Sequence, residues 1–477
     1  MSAARARRGT GPVALARVVL GLLMMLWIPQ VRAETLAAPL ELDEVLESVR
    51  RTHPGLEGAK RAVDERDALE FAARGGFDPK LAIRGKWAPV GYYPQGQIDA
   101  LVQQATPVWG IGLYAGYRLG LGSYPIYKGD LRTLSGGELR AGVSVPLWRG
   151  GLIDERRAEL RKARIAQKGA RLRYDAEQLA LERDAAKAYW SWVAAGQSLE
   201  VAERLLEIAE ARDAALRDQV AAGSIPAIVI VDNQRLVLDR KAKVVAAELE
   251  LQAAALDLSL YLRDDRLRPV RPGRERLPER MPGTRGDLGS LEDAVALALQ
   301  QRPDALALAA DREAAEVEVR LARNQRAPAI DLQAFAARDL GDGPAELRPT
   351  ELGVGITVEV DLPLRKARGK HRAAQARAGR IDAERRALRD GVEAEVREAW
   401  LTVEAAAQRV VLARLQRDAA DQLAEAEREL LHAGSSDLLD VNLRERAAAD
   451  AATLEIDALA DYHSAHAELA AAVGGAP

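Results

Sequence analysis

Three groups of residues have the types and spacing that chemistry needs. Leu134-Ser-Gly-Gly-Glu138 resembles the signature loop of ATP-binding-cassette ATPases. His463 and His466 lie three positions apart, so on a helix their imidazoles would share one face and could ligate a metal ion. A glycine-rich run at 110–116 offers the backbone freedom that a dinucleotide-binding loop uses.

None of the three has the partners that its chemistry requires. The chain contains no Gly-x-x-x-x-Gly-Lys-Ser/Thr loop to hold phosphates, so we interpret 134–138 as a flexible turn before a strand. The glycines at 110–116 do not open a helix after a strand. The chain has no cysteine and no His-Glu-x-x-His motif, and its histidine pair lies among Ala, Leu and Glu, which favours solvated imidazoles. The sequence therefore predicts neither an enzyme nor a bound metal or cofactor.

The N-terminus has the pattern of an export signal. Three arginines at positions 5–8 precede the apolar run Val13–Trp27, and small residues at Val31 and Ala33 offer a cleavage site. The alternative is a membrane anchor, but the apolar run is shorter than the roughly 20 residues that span a bilayer. We therefore predict a signal peptide at 1–33. The formal net charge of −3 gives no support for nucleic-acid binding.

The rest of the chain contains two copies of one unit. Leu42–Pro54 aligns with Leu291–Pro303 at an offset of 249 residues. Two later landmarks recur in the same order. Val-Pro-Leu at 145–147 corresponds to Leu-Pro-Leu at 362–364, and Ala-Gly-Ser at 222–224 corresponds to Ala-Gly-Ser at 433–435. Self-similarity of this kind indicates an internal duplication.

Each repeat is predicted to contain a helix, strands, a very long helix, a tight turn and a return helix. The first repeat occupies 34–262, with strands within 79–147, the long helix at 153–221 and the return helix at 227–262. A linker rich in Pro, Arg and Gly at 263–290 leads to the second repeat at 291–477, with strands within 328–363, the long helix at 367–431 and the return helix at 436–472. Apolar residues step by sevens from Ile165 to Val193, as in a coiled coil. A helix of about 70 residues is ~105 Å long, so such rods must pack against other rods.

Several segments of about ten residues alternate between apolar and polar or glycine positions. In 353–361, Val354, Ile356 and Val358 face one way, while glycine, threonine and acidic residues face the other. Such segments are typical of transmembrane β-barrels, and aromatic residues cluster in the strand-forming part of the first repeat. A soluble sheet is the alternative on the strands alone, but soluble sandwiches do not carry helices of this length.

About four spanning strands cannot close a barrel, so several chains must share one. Helices flank each block of strands and must lie on the periplasmic side, so each block crosses the membrane an even number of times. The first block offers three candidates, 79–88, 108–122 and 138–147. One of them is therefore non-spanning or has an unrecognised partner. We expect 108–122 to belong to an enlarged extracellular hairpin.

The ordered landmarks resemble the TolC-like outer-membrane efflux proteins. The strand ends at 145–147 and 362–364 are each followed by an Arg/Gly-rich helix start, at Trp148–Gly151 and Arg365–Gly369, and both long helices end in Ala-Gly-Ser. The resemblance covers roughly 40–473. It implies a mostly α fold in which long antiparallel coiled-coil helices form a periplasmic tunnel. Above the tunnel it implies a 12-stranded trimeric barrel in the outer-membrane lipid, with about four strands from each chain.

The resemblance also implies a function. The chain would be the outer-membrane channel of a tripartite efflux or type I secretion system, a passive exit duct gated at its periplasmic tip. Its partners would be two further copies of itself, a periplasmic adaptor (membrane fusion) protein and an inner-membrane transporter. The alternative is a periplasmic coiled-coil adaptor or structural stalk without a barrel. The sequence does not identify the transported cargo, because selectivity in such systems resides mostly in the pump.

The resemblance places the gate at the helix turns. The family pattern has an Asp six residues after the second turn glycine, which is Asp440 here, while the position three further on, often acidic in the family, is Leu443. In the first repeat the nearest acid is Asp232, and Asp437 is a further candidate. Each carboxylate could instead cap a helix. The tips expected to contact the adaptor are Gly223, Ser224, Gly434 and Ser435.

Overall fold

The computed structural model describes residues 38–125, 131–284, 286 and 288–476. The expected signal peptide at 1–33 lies outside these residues. The α-helices of the described part are α1 (Leu42–Thr52), α2 (Pro54–Arg74), α3 (Glu155–Ala221), α4 (Ile228–Ser259), α5 (Leu291–Gln301), α6 (Pro303–Asn324), α7 (Arg365–His432) and α8 (Leu438–Val473). The strands are β1 (Lys80–Ala88), β2 (Gln95–Ala105), β3 (Gly112–Gly122), β4 (Glu138–Pro146), β5 (Ala329–Asp339) and β6 (Glu351–Glu359).

The two long helices are the rods around which the other helices pack. Helix α3 has 67 residues and α7 has 68, so each is about 100 Å long at 1.5 Å per residue. Helices α1, α2 and α4 pack along α3, and α5, α6 and α8 pack along α7, while α6 and α8 also contact α3. The two repeats therefore share one layer of helices. No helix in the described ranges is long and apolar enough to cross a membrane.

Both repeats interrupt their first helical segment at an X-Pro step. Pro54 and Pro303 occupy the first turn of α2 and α6. The residues before them, His53 and Arg302, have ψ angles of 127° and 122°, because proline excludes the helical conformation from the residue that precedes it. The His53 ring accepts a hydrogen bond from the Gly55 N–H at 3.1 Å. The break is therefore capped in the first repeat.

The strands form one antiparallel sheet in the order β1-β2-β3-β4-β5-β6. Six strands replace the four or so that we expected, since β1 to β4 all belong to the first repeat. Our assignment of 108–122 to an extracellular hairpin was wrong. Strand β3 pairs with β4 from Gly112–Ser144 to Arg118–Glu138 and with β2 along its whole length.

Strand β2 is the partner that the sequence did not reveal. It runs Gln-Gly-Gln-Ile-Asp-Ala-Leu-Val-Gln-Gln-Ala, and two of its residues break the alternation of apolar and polar positions. Leu101 lies on the polar face, opposite Gly116, and Gln104 lies on the apolar face, opposite Leu113. Gln104 donates hydrogen bonds from Nε2 to the carbonyl oxygens of Phe77 and Ala105 at one end of the sheet. With β2 included, the first block has four strands, so the even number of crossings is preserved.

A central core fixes the middle of the rods. It surrounds Trp192 of α3 and Tyr462 of α8, which are 0% and 1% exposed. The Tyr189 hydroxyl donates to the Leu40 carbonyl at 2.8 Å, which ties the start of the described chain to α3. Other members are contributed by α3, α4, α7 and α8, among them Leu199, Leu258, Val396 and Ala458.

One member of the histidine pair, His463, packs against this core, so our expectation of a solvated imidazole was wrong for that residue. His463 is buried and stacks on Trp190 with a centroid distance of 4.2 Å. Its Nε2 lies 2.8 Å from the carbonyl oxygen of Pro282, in the segment between the repeats. Apolar packing and this contact explain its burial. Within the described ranges, no group of three or more His, Asp or Glu residues is placed to hold a metal ion.

Candidate gate and channel wall

The two tips of the helical rods have the same backbone. Gly223 and Gly434 follow α3 and α7 with φ angles of 75° and 73°. The N–H groups of the next residues, Ser224 and Ser435, donate to the carbonyls of Gln219 at 3.0 Å and Leu430 at 2.9 Å. This is the Schellman arrangement, in which a left-handed glycine closes the helix. A side chain at either glycine would meet no neighbour, so the positive φ alone selects glycine.

The three acids expected at the gate all lie at these tips and are exposed. Asp437 is the N-cap of α8, where its Oδ1 accepts from the N–H groups of Leu439 at 2.9 Å and Asp440 at 3.0 Å. Asp440 lies in the first turn of α8. Asp232 lies on α4, with its Oδ1 3.5 Å from Nε of Arg235. In the described part of one chain, the side chain of Asp232 contacts neither Asp437 nor Asp440.

A buried carboxylate near the tips was missed by the sequence analysis. Glu445 of α8 is 3% exposed. Its Oε1 accepts from Nη2 of Arg212 on α3 at 2.5 Å, and its Oε2 accepts from Nη2 of Arg240 on α4 at 3.3 Å. These three residues, which we call the tip cluster, join the return helix of the second repeat to both helices of the first-repeat hairpin.

Further hydrogen bonds hold the two arginines of the tip cluster in place. Nη1 of Arg240 donates to the Leu205 carbonyl at 2.6 Å, and Nη1 of Arg212 donates to Oδ1 of Asn442 at 2.5 Å. Burial lowers the pKa of the Arg240 guanidinium, and its contact with Glu445 opposes that effect. An arginine still keeps its charge at neutral pH. The cluster is therefore a desolvated ionic contact, which is costly to break on one side only.

The tip cluster occupies matching heights on the two hairpins. Arg212 lies eleven residues before Gly223, and Glu445 lies eleven residues after Gly434. At 1.5 Å per residue, each is about 16 Å from its turn. The charge pattern provides no signal for this contact, because Glu445 is followed and preceded by the exposed charged residues Arg444, Arg446 and Asp450.

Other ion pairs act within one hairpin and provide a comparison. Glu455 of α8 accepts from Nε of Arg414 at 3.0 Å and from Nη1 of Arg417 at 2.7 Å, both on α7. Burial raises the pKa of the Glu455 carboxyl, but the two arginines outweigh it and hold the pKa below its usual range. Glu455 and Glu445 are thus on the same helix, and only Glu445 reaches the other repeat.

The sheet has two chemically different faces. The register places apolar side chains on what we call the outer face, among them Leu81, Ile83, Ile98, Leu113, Leu139, Val143, Leu332, Val354 and Val358. The opposite, inner face carries Lys80, Arg84, Asp99, Arg118, Glu138, Arg140, Gln333 and Glu359. An apolar face toward lipid and a polar face toward a lumen are what a transmembrane β-barrel wall requires.

Charges on the inner face of β2, β3 and β4 are paired. Nε of Arg118 donates to Glu138 at 2.7 Å between β3 and β4. Nη2 of Arg140 on β4 donates to Asp99 on β2 at 2.5 Å, across the intervening strand β3. Gly116 lies opposite Arg140 in the register, so the side chain crosses β3 where that strand has no side chain. Ion pairs therefore connect β2, β3 and β4 on the polar side of the sheet.

The chain belongs to the outer membrane efflux protein family. The model of that family, described as "Outer membrane efflux protein", matches 121–262 and 294–475, which is more than half of the chain. No curated protein matches the chain. Efflux channels of the outer membrane generally form trimers and work with adaptors and inner-membrane pumps.

Solved outer-membrane channels have the same fold. The channel OprN is 18% identical, with a TM-score of 0.61, and the match covers 91% of this chain and 90% of that chain. The open state of the Neisseria gonorrhoeae MtrE channel is 17% identical, with a TM-score of 0.63 and coverage of 91% and 89%. VceC from Vibrio cholerae is 17% identical, with a TM-score of 0.62 and coverage of 91% and 96%.

Family and fold together confirm the expected class of protein. The chain is a mostly helical outer-membrane efflux channel with a β-sheet part, and it extends into the periplasm. The alternative of a periplasmic adaptor or stalk without a barrel finds no support in either comparison.

Proposed function

We propose that this protein is the passive exit duct of a tripartite efflux or type I secretion system. It works as a homotrimer, with a periplasmic adaptor at its helix tips and an inner-membrane transporter that supplies the energy. One observation carries the proposal. A sheet with an apolar outer face and a polar inner face lies at one end of helices about 100 Å long. One chain can therefore both contact lipid and extend into the periplasm.

The domain organisation follows the same proposal. Residues 1–33 direct export and are removed. The repeats at 34–262 and 291–477 each contribute a strand block and a pair of rods, joined by 263–290. The equivalent turns at Gly223-Ser224 and Gly434-Ser435 present the same exposed backbone in both repeats, which suits contact with a ring of adaptor hairpins.

The gate of the duct is formed at the tips. Three chains bring three copies of Asp440, Asp437 and Asp232 toward one axis, where a ring of carboxylates favours cations over anions. The tip cluster of Glu445, Arg212 and Arg240 holds the two hairpins of each chain together just above that ring. Opening then requires the hairpins to separate at Glu445, while pairs inside one hairpin, such as Glu455 with Arg414, stay intact.

Planar-bilayer recordings test the acidic ring. Asp440→Asn combined with Asp232→Asn keeps side-chain size and removes six charges from the trimer. We expect weaker cation selectivity and weaker block by multivalent cations than in the wild-type channel. Asp450→Asn, sixteen residues beyond Gly434 on the same helix, is the matched control and should leave both properties unchanged. Wild-type selectivity and block in the double variant would remove these acids from the gate.

A further inference from the structure

The sheet ends in two edges that no strand of the same chain covers. Strands β1 and β6 each pair on one side only, and both are nine residues long. Their large apolar residues are 61–78% exposed, as the values for Leu81, Ile83, Trp87, Leu352, Val354, Ile356 and Val358 show. An unpaired strand edge is not viable in lipid, because its N–H and C=O groups find no partner there.

The two edges carry opposite charges on the same face. Inner-face residues of β1 include Lys80, Arg84 and Lys86, and those of β6 include Glu351 and Glu359. All five are exposed, and the described contacts give none of them an ion pair or a side-chain hydrogen bond. The inner-face charges of β2, β3 and β4 are, by contrast, paired within the chain. The unpaired charges of β1 and β6 therefore lie where a second chain would supply the partner.

We propose that β6 of one copy pairs antiparallel with β1 of the next, with Lys80 opposite Glu359, and that six strands from each chain close a barrel of 18 strands in the trimer. The inference rests on the trimer of the proposed function and specifies its strand count and register. This register pairs all nine positions of both strands. It sets Leu81 opposite Val358 and Ile83 opposite Ile356 on the outer face, and leaves Lys86 diagonal to Glu351 on the inner face.

Other registers lose these contacts. A shift by one residue would place the apolar residues of one strand on the polar face of the other, since the side-chain period is two. A shift by two residues in one direction would set Glu359 opposite Asp78, a pair of like charges. The opposite shift would leave Glu351 opposite Val90, outside β1. Only the register that we propose matches length, face and charge together.

The width of such a barrel suits the helices beneath it. Strands about 4.8 Å apart and tilted by about 40° give a radius of about 18 Å for 18 strands and about 12 Å for twelve. Each chain contributes four rods at any height, so a trimer has twelve, and twelve helices about 9–10 Å apart form a ring of radius about 17–19 Å. A barrel of 18 strands therefore continues the helical duct without narrowing.

Disulfide cross-linking tests the register in the full-length protein in its own membrane, because the chain has no native cysteine. Ile83→Cys combined with Ile356→Cys should give covalent dimers and trimers on oxidation, which reducing agent reverses. Ile83→Cys combined with Leu352→Cys is the control, since a displacement of four residues is about 13 Å along the strand. That pair should stay monomeric under denaturing conditions.

Charge exchange and strand counting complete the test. Lys80→Glu should lower the cross-linked fraction of the Ile83/Ile356 pair by about two- to fivefold, and adding Glu359→Lys should restore it. An electron cryomicroscopy map of the trimer should show 18 strands. A trimer in mild detergent that shows twelve strands, or cross-links only through Leu352, overturns this inference and leaves the proposed function standing. A stable monomer in mild detergent would instead overturn the trimer itself.

Discussion

The middle and the tip of the helical rods are held together by different kinds of contact. In the middle, the central core buries Trp192 and Tyr462 among alanine, valine and leucine side chains. At the tip, the tip cluster joins three helices through the carboxylate of Glu445 and two guanidinium groups. The same long helix, α3, contributes to both regions.

The difference indicates which part of the rod can move. Close-packed apolar side chains lose their contacts as soon as they separate, so the middle of the rod has one stable arrangement. Charged groups regain water when the helices part, which offsets the lost ionic contacts. We infer that the central core stays fixed in each chain. The helices between the core and the tips separate when the ionic contacts of the tip cluster are replaced by contacts with water.

The largest effect is expected from a cavity in the central core. Trp192→Ala should lower the free energy of unfolding by about 3–5 kcal/mol, because the ring is fully buried and its space cannot be refilled. Thermal melting of the protein in detergent measures this, and Leu401→Ala, at an exposed position of α7, is the control. A melting temperature equal to that of the control would show that the middle of the rod is not held by its core.

The sheet offers a second apolar region, one whose neighbour is lipid instead of another helix. Val143→Arg puts a charge on the outer face of β4 and should cost about 2–4 kcal/mol near the middle of the bilayer. Ser144→Arg, the next residue, puts the same charge on the inner face and should be much milder. The yield of heat-modifiable protein in the outer-membrane fraction compares the two. Equal yields would mean that the two faces of the sheet are assigned incorrectly.

A smaller, pH-dependent effect on stability is expected within the hairpin of the second repeat, which α7 and α8 form. Arg414 and Arg417 hold the pKa of Glu455 below its usual range, despite the burial that raises it. A lowered pKa gives stability that is present above the ordinary glutamate pKa of about 4.3 and is lost as the pH falls through the folded value. Melting temperatures measured downward from pH 5 should fall less steeply in Glu455→Gln than in the wild type. Identical slopes would contradict this.

Features set by periodicity could be predicted from the sequence. The long helices follow from a proline-free stretch with heptad spacing, and the turns follow from glycines that need a positive φ. Strand β6 follows from strict alternation. Strand β2 did not, because Leu101 and Gln104 each lie on the face opposite to the one that their polarity predicts. Pairing with β1 and β3 decides its structure.

The tip cluster could not be predicted from the sequence for a related reason. Glu445 is one of several charged residues in a helical stretch, and it is distinguished by two neighbours in space from the other repeat. Those neighbours, Arg212 and Arg240, are 233 and 205 residues away in the chain. Contacts across such separations depend on how the two repeats pack, which local patterns do not encode. The expected acids at 232, 437 and 440 lie nearer the turn and are solvated.

The conductance of Glu445→Gln tests most directly whether the tip cluster holds the channel closed. The substitution keeps the shape of the side chain and removes the charge that both arginines contact. Glu455→Gln, ten residues away on the same helix, removes a charge that is also buried but contacts one hairpin only. In planar bilayers, Glu445→Gln should raise single-channel conductance several-fold, while Glu455→Gln should stay at the wild-type value. Wild-type conductance in Glu445→Gln, or an equal rise in both variants, would contradict a gate held between the two hairpins.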